Sequence, residues 1–209
     1  MTSDDGALLG LFPLSLVLLP GEVIPLHIFE ERYKKLIGER LEEGEFGIVL
    51  ADEDSVRECG TAARVVELIE EQDDGRMNVL VEGGRRFRLL ELREPEDSAT
   101  EYLSAFVDYY RDAEPAGSDA LTAAVLDIFL RMLALMDVDD PQEPAGEGPL
   151  SFRVAASVDF GAPLKQELLE SVSEAQRLET LLTVMTTLLP RLELRKEREE
   201  AIRGNGKGD

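Results

Sequence analysis

Between Leu11 and Tyr33 the chain reads LFPLSLVLLPGEVIPLHIFEERY, and its prolines decide what this apolar stretch can become. Pro13, Pro20 and Pro25 each lack a backbone donor and fix φ, so the run cannot be one long helix, and the Pro20-Gly21 pair marks a sharp turn. Short extended segments on either side of that turn satisfy the pattern. From Glu30-Glu31-Arg32-Tyr33 the prolines stop. Acidic residues followed by strong helix formers then mark a helix, expected over about Glu30 to Glu43 with Gly44 as its carboxy-terminal cap. The stretch predicts strand, turn, strand, helix.

Strand signals dominate as far as residue 112. The segments Phe46 to Leu50, Thr61 to Ile69, Arg76 to Glu82, Arg85 to Arg93 and Tyr102 to Tyr110 are short and rich in valine, aromatic and other apolar residues. Asp73-Asp74-Gly75 suits a tight hairpin that needs positive φ, and Gly83-Gly84 predicts a second reversal. Together these signals predict an antiparallel meander interrupted by one helix. Glu114-Pro115-Ala116-Gly117-Ser118 is the best internal boundary, with Ser118 placed to cap the next helix.

Helical spacing follows. Leu121, Val125, Ile128, Phe129, Met132 and Met136 fall on one face, up to the acidic turn Asp137 to Asp140. The proline- and glycine-rich loop Asp137 to Pro149 is expected to be mobile. A short helix near Leu150 to Val158 and another opening at Pro163 come next. Ser173 and Gln176 form a capping box ahead of the stripe Leu178, Leu181, Leu182, Met185, Leu188, Leu189 and Leu192, which Pro190 should kink or split. The expected organisation is α+β, with a β-rich subdomain over 1–112, a helical subdomain over 113–203 and a disordered tail over 204–209.

Composition excludes several classes. With 44 acidic against 22 basic residues the net charge is -22, and such a field repels phosphate backbones, whose binding depends on lysine and arginine releasing counterions. Nucleic acid is not an expected partner. No uninterrupted apolar window is long enough to span a membrane, and Met1 to Gly6 is acidic where a secretory leader is basic, so a cytoplasmic protein is expected. A lone cysteine, Cys59, allows no internal disulfide and reads as a small buried side chain.

The residues that carry chemistry are sparse. One histidine, His27, excludes a His-rich metal site, and its alternation with apolar neighbours reads as structural. There is no Gly-x-Ser-x-Gly elbow and no phosphate-cradling loop ending in Gly-Lys-Ser/Thr; the lone Gly206-Lys207 lies in the tail. Asp137-Val138-Asp139-Asp140-Pro141 begins like a calcium loop, but Pro141 stands at a ligand position and the required glycine is missing. No catalytic, metal or cofactor-binding residue is assigned.

The string Leu11 to Tyr33 resembles the opening of the amino-terminal domain of the Lon ATP-dependent proteases, where a Phe-Pro-Leu, a Pro-Gly turn and a Leu-His-Ile-Phe-Glu segment occur in this order. Cys59 to Val65, Asp74 to Val79 and Arg86-Phe87-Arg88 are similar to the middle of that domain, and Pro163 to Gln166 with Leu168 to Glu170 to the start of its helical part. The resemblance covers roughly residues 8 to 200. It implies a small, partly open β-barrel of the PUA-like kind followed by a helical bundle. The ATPase and peptidase modules that follow this domain in full-length Lon are not among these residues. What the resemblance implies is therefore a stand-alone, noncatalytic module that recognises unfolded or extended polypeptide, with a client or protease as partner. A scaffold without peptide affinity, an RNA-binding PUA-like protein and an enzyme with an unrecognised site remain alternatives.

One surface follows from the residues themselves. Along Tyr102 to Tyr110, Leu103, Ala105, Val107 and Tyr109 share one face, while Tyr102, Phe106 and Tyr110 alternate with Ser104 and Asp108 on the other. If that second face is exposed, Tyr102, Phe106 and Tyr110 form an aromatic row able to grip an extended peptide.

Overall fold

The computed structural model describes residues 6–42, 44–52, 55–96, 101–113 and 117–205. Residues 1–5, the boundary residues 114–116 and the tail residues 206–209, with Gly206-Lys207, lie outside the described residues. Six strands, β1 (Ala7–Leu14), β2 (Val23–Ile28), β3 (Phe46–Ala51), β4 (Val56–Glu71), β5 (Met77–Arg93) and β6 (Ser104–Tyr109), form one mixed sheet, with α1 (Glu31–Gly38) between β2 and β3. Four further helices follow: α2 (Asp119–Leu135), α3 (Leu150–Ser157), α4 (Ala162–Glu170) and α5 (Glu174–Asn205).

The sheet runs β2-β5-β4-β3-β1-β6, and β6 pairs back onto β5, so five strands close a ring of hydrogen-bonded pairs and β2 is appended to it. The expected all-antiparallel order fails at one pair, because β1 and β3 are parallel, with Leu11 opposite Gly47. The reason lies between them: β2 and α1 form the crossover that returns the chain in the same direction, as parallel neighbours require.

The Gly83-Gly84 reversal is also absent, since β5 runs unbroken from Met77 to Arg93. A Cβ on Gly83 would stand 2.2 Å from the Leu19 carbonyl oxygen. Hydrogen bonds from Gly21 N–H to the Gly83 carbonyl and from Gly83 N–H to the Glu22 carbonyl strap the Pro20-Gly21 turn onto the strand at that place. Glycine serves close backbone approach here, not a turn. The true hairpin is at Asp74-Gly75, where Gly75 has φ +78°.

Helix α1 is shorter than expected because Arg40 folds back to donate to the carbonyls of Leu36 and Glu45, satisfying the helix end at Gly38 well before Gly44. Helix α5 is not split at Pro190 and continues through Gly204 and Asn205, which the tail had been expected to include. Pro190 is on the exposed face, as is Thr186, whose carbonyl is the one that loses its helical donor.

Two apolar clusters pack against the sheet, one around Phe12, Ile28, Tyr33, Phe46 and Val79 that includes α1, and one around Leu11, Val49, Phe87 and Val107. A third joins Val125, Phe129, Leu181 and Met185 of the helices to Val17, Leu19 and Cys59. Polar contacts tie the same surfaces: Lys165 of α4 pairs with Glu22 at 2.5 Å, both nearly buried, and the Gln166 amide donates to the Cys59 carbonyl.

Candidate functional site

Among the described residues strand β2 has one hydrogen-bonded neighbour, β5, and no strand pairs with its other edge. Pro25 is compatible with that edge, since a strand interior would lose a ladder bond to it. Along β2 the period of two buries Leu26 and Ile28 and exposes Val23, Pro25 and His27. Phe29 follows, 59% exposed, just before α1 begins. Across from it stands the end of β1. Strand β6 pairs with Ala7 to Gly10, and Leu11 N–H still reaches the Leu103 carbonyl at 2.7 Å. Beyond that point Phe12, Pro13 and Leu14 keep β3 on one side only among the described residues.

The two edges enclose a cleft of about 580 Å³. Its floor holds Phe12 and Tyr33, stacked with ring centroids 4.1 Å apart, and Ile28; Phe29, Leu92 and Leu103 flank it. The rim carries Glu30, Asp52 and Glu94 against Arg32 and His27. Arg32 is committed to one Glu30 oxygen through two bonds of 3.0 and 2.7 Å and lies over the Tyr33 ring, so the rim is acidic overall. Burial raises the Tyr33 phenol above its ordinary range.

His27 stacks on Phe29, and its Nδ1 lies 2.7 Å from Asn78 Oδ1. Because the Asn78 amide donates to Glu70, its oxygen is the acceptor and His27 Nδ1 the donor. Ser55 donates instead to Asp52, and no hydrogen bond joins it to His27 among the described residues. The cleft thus offers apolar surface, aromatic rings and free strand edge, without a nucleophile and base in contact. Cys59 is buried, and burial pushes its thiol up to about 12. No His/Cys/Asp/Glu group able to hold a metal occurs among the described residues, and none of the helices there is long and apolar enough to cross a membrane.

Tyr102, Phe106 and Tyr110 are all half-buried, and they occupy three different settings outside the cleft. The Tyr102 hydroxyl donates to Glu39 at 2.5 Å beside Arg40, and its ring packs with the cluster beneath α1. Phe106 lies across from Leu8 on β1 and carries the Arg93 guanidinium 4.4 Å from its ring. Tyr110 packs against the helical cluster. Burial is the first cause raising both phenols. The cleft residues were missed because Phe12, Phe29 and Leu92 are far apart in sequence; the available signal was Phe29, an aromatic at the strand-to-helix junction.

Comparison with known proteins places this chain in one family. The family model of the ATP-dependent protease La (LON) substrate-binding domain matches residues 9–187. The Lon protease of Anaeromyxobacter dehalogenans (strain 2CP-C) is 28% identical over 222 residues, spanning 96% of this chain and 26% of the relative. That of Brevibacillus choshinensis is 30% identical over 157 residues, 70% of this chain and 19% of the relative. The chain therefore spans about a quarter or less of these relatives' length. Among solved structures, a Lon N-terminal domain protein from Xanthomonas campestris aligns with TM-score 0.66 and 27% identity, covering 85% of this chain and 98% of that one. The N-terminal domain of Mycobacterium avium complex Lon protease aligns with TM-score 0.62 at 18% identity over 86% and 98%, a likeness of fold. On the extent of the family match, this chain belongs to the Lon substrate-binding domain family.

Proposed function

We propose that this chain is a noncatalytic recognition module that holds extended polypeptide in the cleft between β1 and β2. The observation that carries the reading is the free edge of β2 beside an apolar, aromatic-lined cleft, because an extended peptide can bond to a strand edge while its side chains enter the adjacent cavity. The family's description as a substrate-binding domain supports the same reading. The acidic rim and the net charge of -22 favour basic, apolar-rich segments and disfavour nucleic acid.

Within this reading the ring of strands acts as a partly open, PUA-like barrel over residues 1–112, with residues 113–203 as its helical subdomain. The setting is cytoplasmic, and no membrane is involved. Tyr102, Phe106 and Tyr110 are a flanking contact for the same ligand.

Titration of a short labelled peptide alternating leucine and lysine tests the site. Phe29→Ser should weaken binding at least tenfold, about 1.4 kcal/mol, with unfolding unchanged. Separate serine replacements of Tyr102, Phe106 and Tyr110 should each weaken it less. Binding that ignores Phe29→Ser overturns the cleft, and a wild-type protein that binds no unfolded segment is a scaffold.

A further inference from the structure

A second groove lies between α2, α5 and the α3–α4 connection. Met132 and Met136 of α2, Phe160 and Leu164, and Leu188 and Leu192 of α5 line a cavity of about 610 Å³. Met132 is buried whereas Met136 is 40% exposed, so the groove opens to solvent at its methionine end. Such side chains adapt to an incoming apolar surface. On a chain of net charge -22, the rim is cationic: Arg191 and Arg195 both border the groove. Arg191 has no hydrogen-bond or ion-pair partner among the described residues. Arg195 makes one loose, exposed contact of 3.6 Å with Glu199. Among the described residues Asp159 is the one carboxylate lining the groove against these two arginines, and its Oδ1 accepts from the Gly161 N–H.

The walls also decide the conformation of what fits. The two long ones, α2 and α5, are helix flanks whose backbone groups are bonded within each helix, and only Val158, Asp159 and Phe160 line the groove from the α3–α4 connection, so an extended peptide would find no strand edge there for its own amides and carbonyls. A helix satisfies its own backbone and presents only side chains. Arg191 and Arg195 stand one turn apart on α5, about 6 Å along its axis, which matches a carboxylate pair spaced i and i+4 on a partner helix.

We propose that this groove docks an amphipathic helix from a partner protein, with apolar side chains entering between α2 and α5 and a glutamate or aspartate pair meeting Arg191 and Arg195. This ligand is opposite in charge and different in conformation from the one assigned to the cleft, so the two sites are independent.

The test uses the full chain and three labelled peptides: an amphipathic helix with leucine on one face and glutamate pairs beside it, the same helix with lysine in place of glutamate, and the glutamate peptide broken by proline. The glutamate helix should bind at least tenfold more tightly than either control. The double variant Arg191→Glu, Arg195→Glu should lose that binding tenfold or more and gain affinity for the lysine helix, whereas Phe29→Ser should change neither. Both arginines are exposed, so unfolding curves should match wild type. Affinity for the glutamate helix that survives charge reversal, or equal binding of the proline-broken peptide, overturns the proposal. So does a concentration-dependent dimer in sedimentation that the double variant abolishes, since a second copy would then be the occupant.

Discussion

Arg86 and Arg177 meet on one carboxylate, that of Asp112: Arg86 bonds to Oδ1 and Arg177 Nη2 to Oδ2 at 2.6 Å. Both guanidiniums are buried, and they come from opposite parts of the molecule, β5 and α5. Arg86 also donates to the carbonyls of Leu169 and Ser171, while Arg177 reaches Ser171, Ser151 and Glu174. Removing the shared carboxylate leaves two close cations undercompensated. Asp112 is itself 35% exposed and Arg177 keeps Glu174, so Asp112→Ala should cost about 1.5–3 kcal/mol in urea unfolding, still more than loss of an exposed pair such as Arg64–Glu82.

The two glycines Gly83 and Gly38 should respond oppositely to alanine. At Gly83 the added methyl would meet the Leu19 backbone, so Gly83→Ala should destabilise by about 3 kcal/mol. At Gly38 nothing lies within 4 Å and φ is not positive, so Gly38→Ala should stabilise by about 0.5–1 kcal/mol through the unfolded state and helix propensity. Thermal or urea melts of the two variants read both signs.

The Glu39 carboxyl is held below its usual range, first by the hydrogen bond from Tyr102 and further by Arg40. A depressed carboxylate pKa contributes stability above the unfolded value and loses it as pH falls through the folded value. Tyr102→Phe should move the Glu39 titration, followed by NMR, upward. The stability gap between wild type and variant should narrow as pH falls below the unfolded glutamate value of about 4.3 and close only once pH is below the lowered folded value.

Cys59 gives the opposite sign at high pH. Its folded thiol is raised to about 12 by burial, against about 8.5 in an unfolded chain, so the folded state keeps a proton that the unfolded state loses. Stability from this group is full below about pH 8.5 and declines through about pH 12. At pH 8 a thiol reagent should label Cys59 only as fast as the protein opens, and denaturant should release the full signal.

Local signals were legible where local physics decides. The Pro20-Gly21 turn, the Asp74-Gly75 hairpin, the Ser118 cap and the apolar stripe of α5 all rest on residues a few positions apart, and the structure has each of them. Ser173 accepts from Gln176 N–H as the capping box requires, although its own N–H goes to Ser171. What escaped depends on distant partners. Gly83 reads as a turn until Leu19 is known to cross it, and the parallel β1–β3 pair depends on where a crossover lands. The cleft was hidden for the same reason, since β2 is an edge only because β6 takes the far half of β5. The Tyr102 to Tyr110 alternation correctly buried Ala105 and Val107, but alternation cannot say that Tyr102 reaches α1 while Tyr110 reaches the helices.

We propose that extended polypeptide is held along the edge of β2 that faces away from β5. Hydrogen–deuterium exchange of the full chain, with and without a saturating leucine–lysine peptide, reads that edge directly. Slowed exchange in Val23 to Phe29 and at the end of β1, with Phe29→Ser abolishing the effect, is the result expected. Peptide binding that leaves β2 unprotected and instead protects only Tyr102 to Tyr110 or the α2–α5 groove would contradict it.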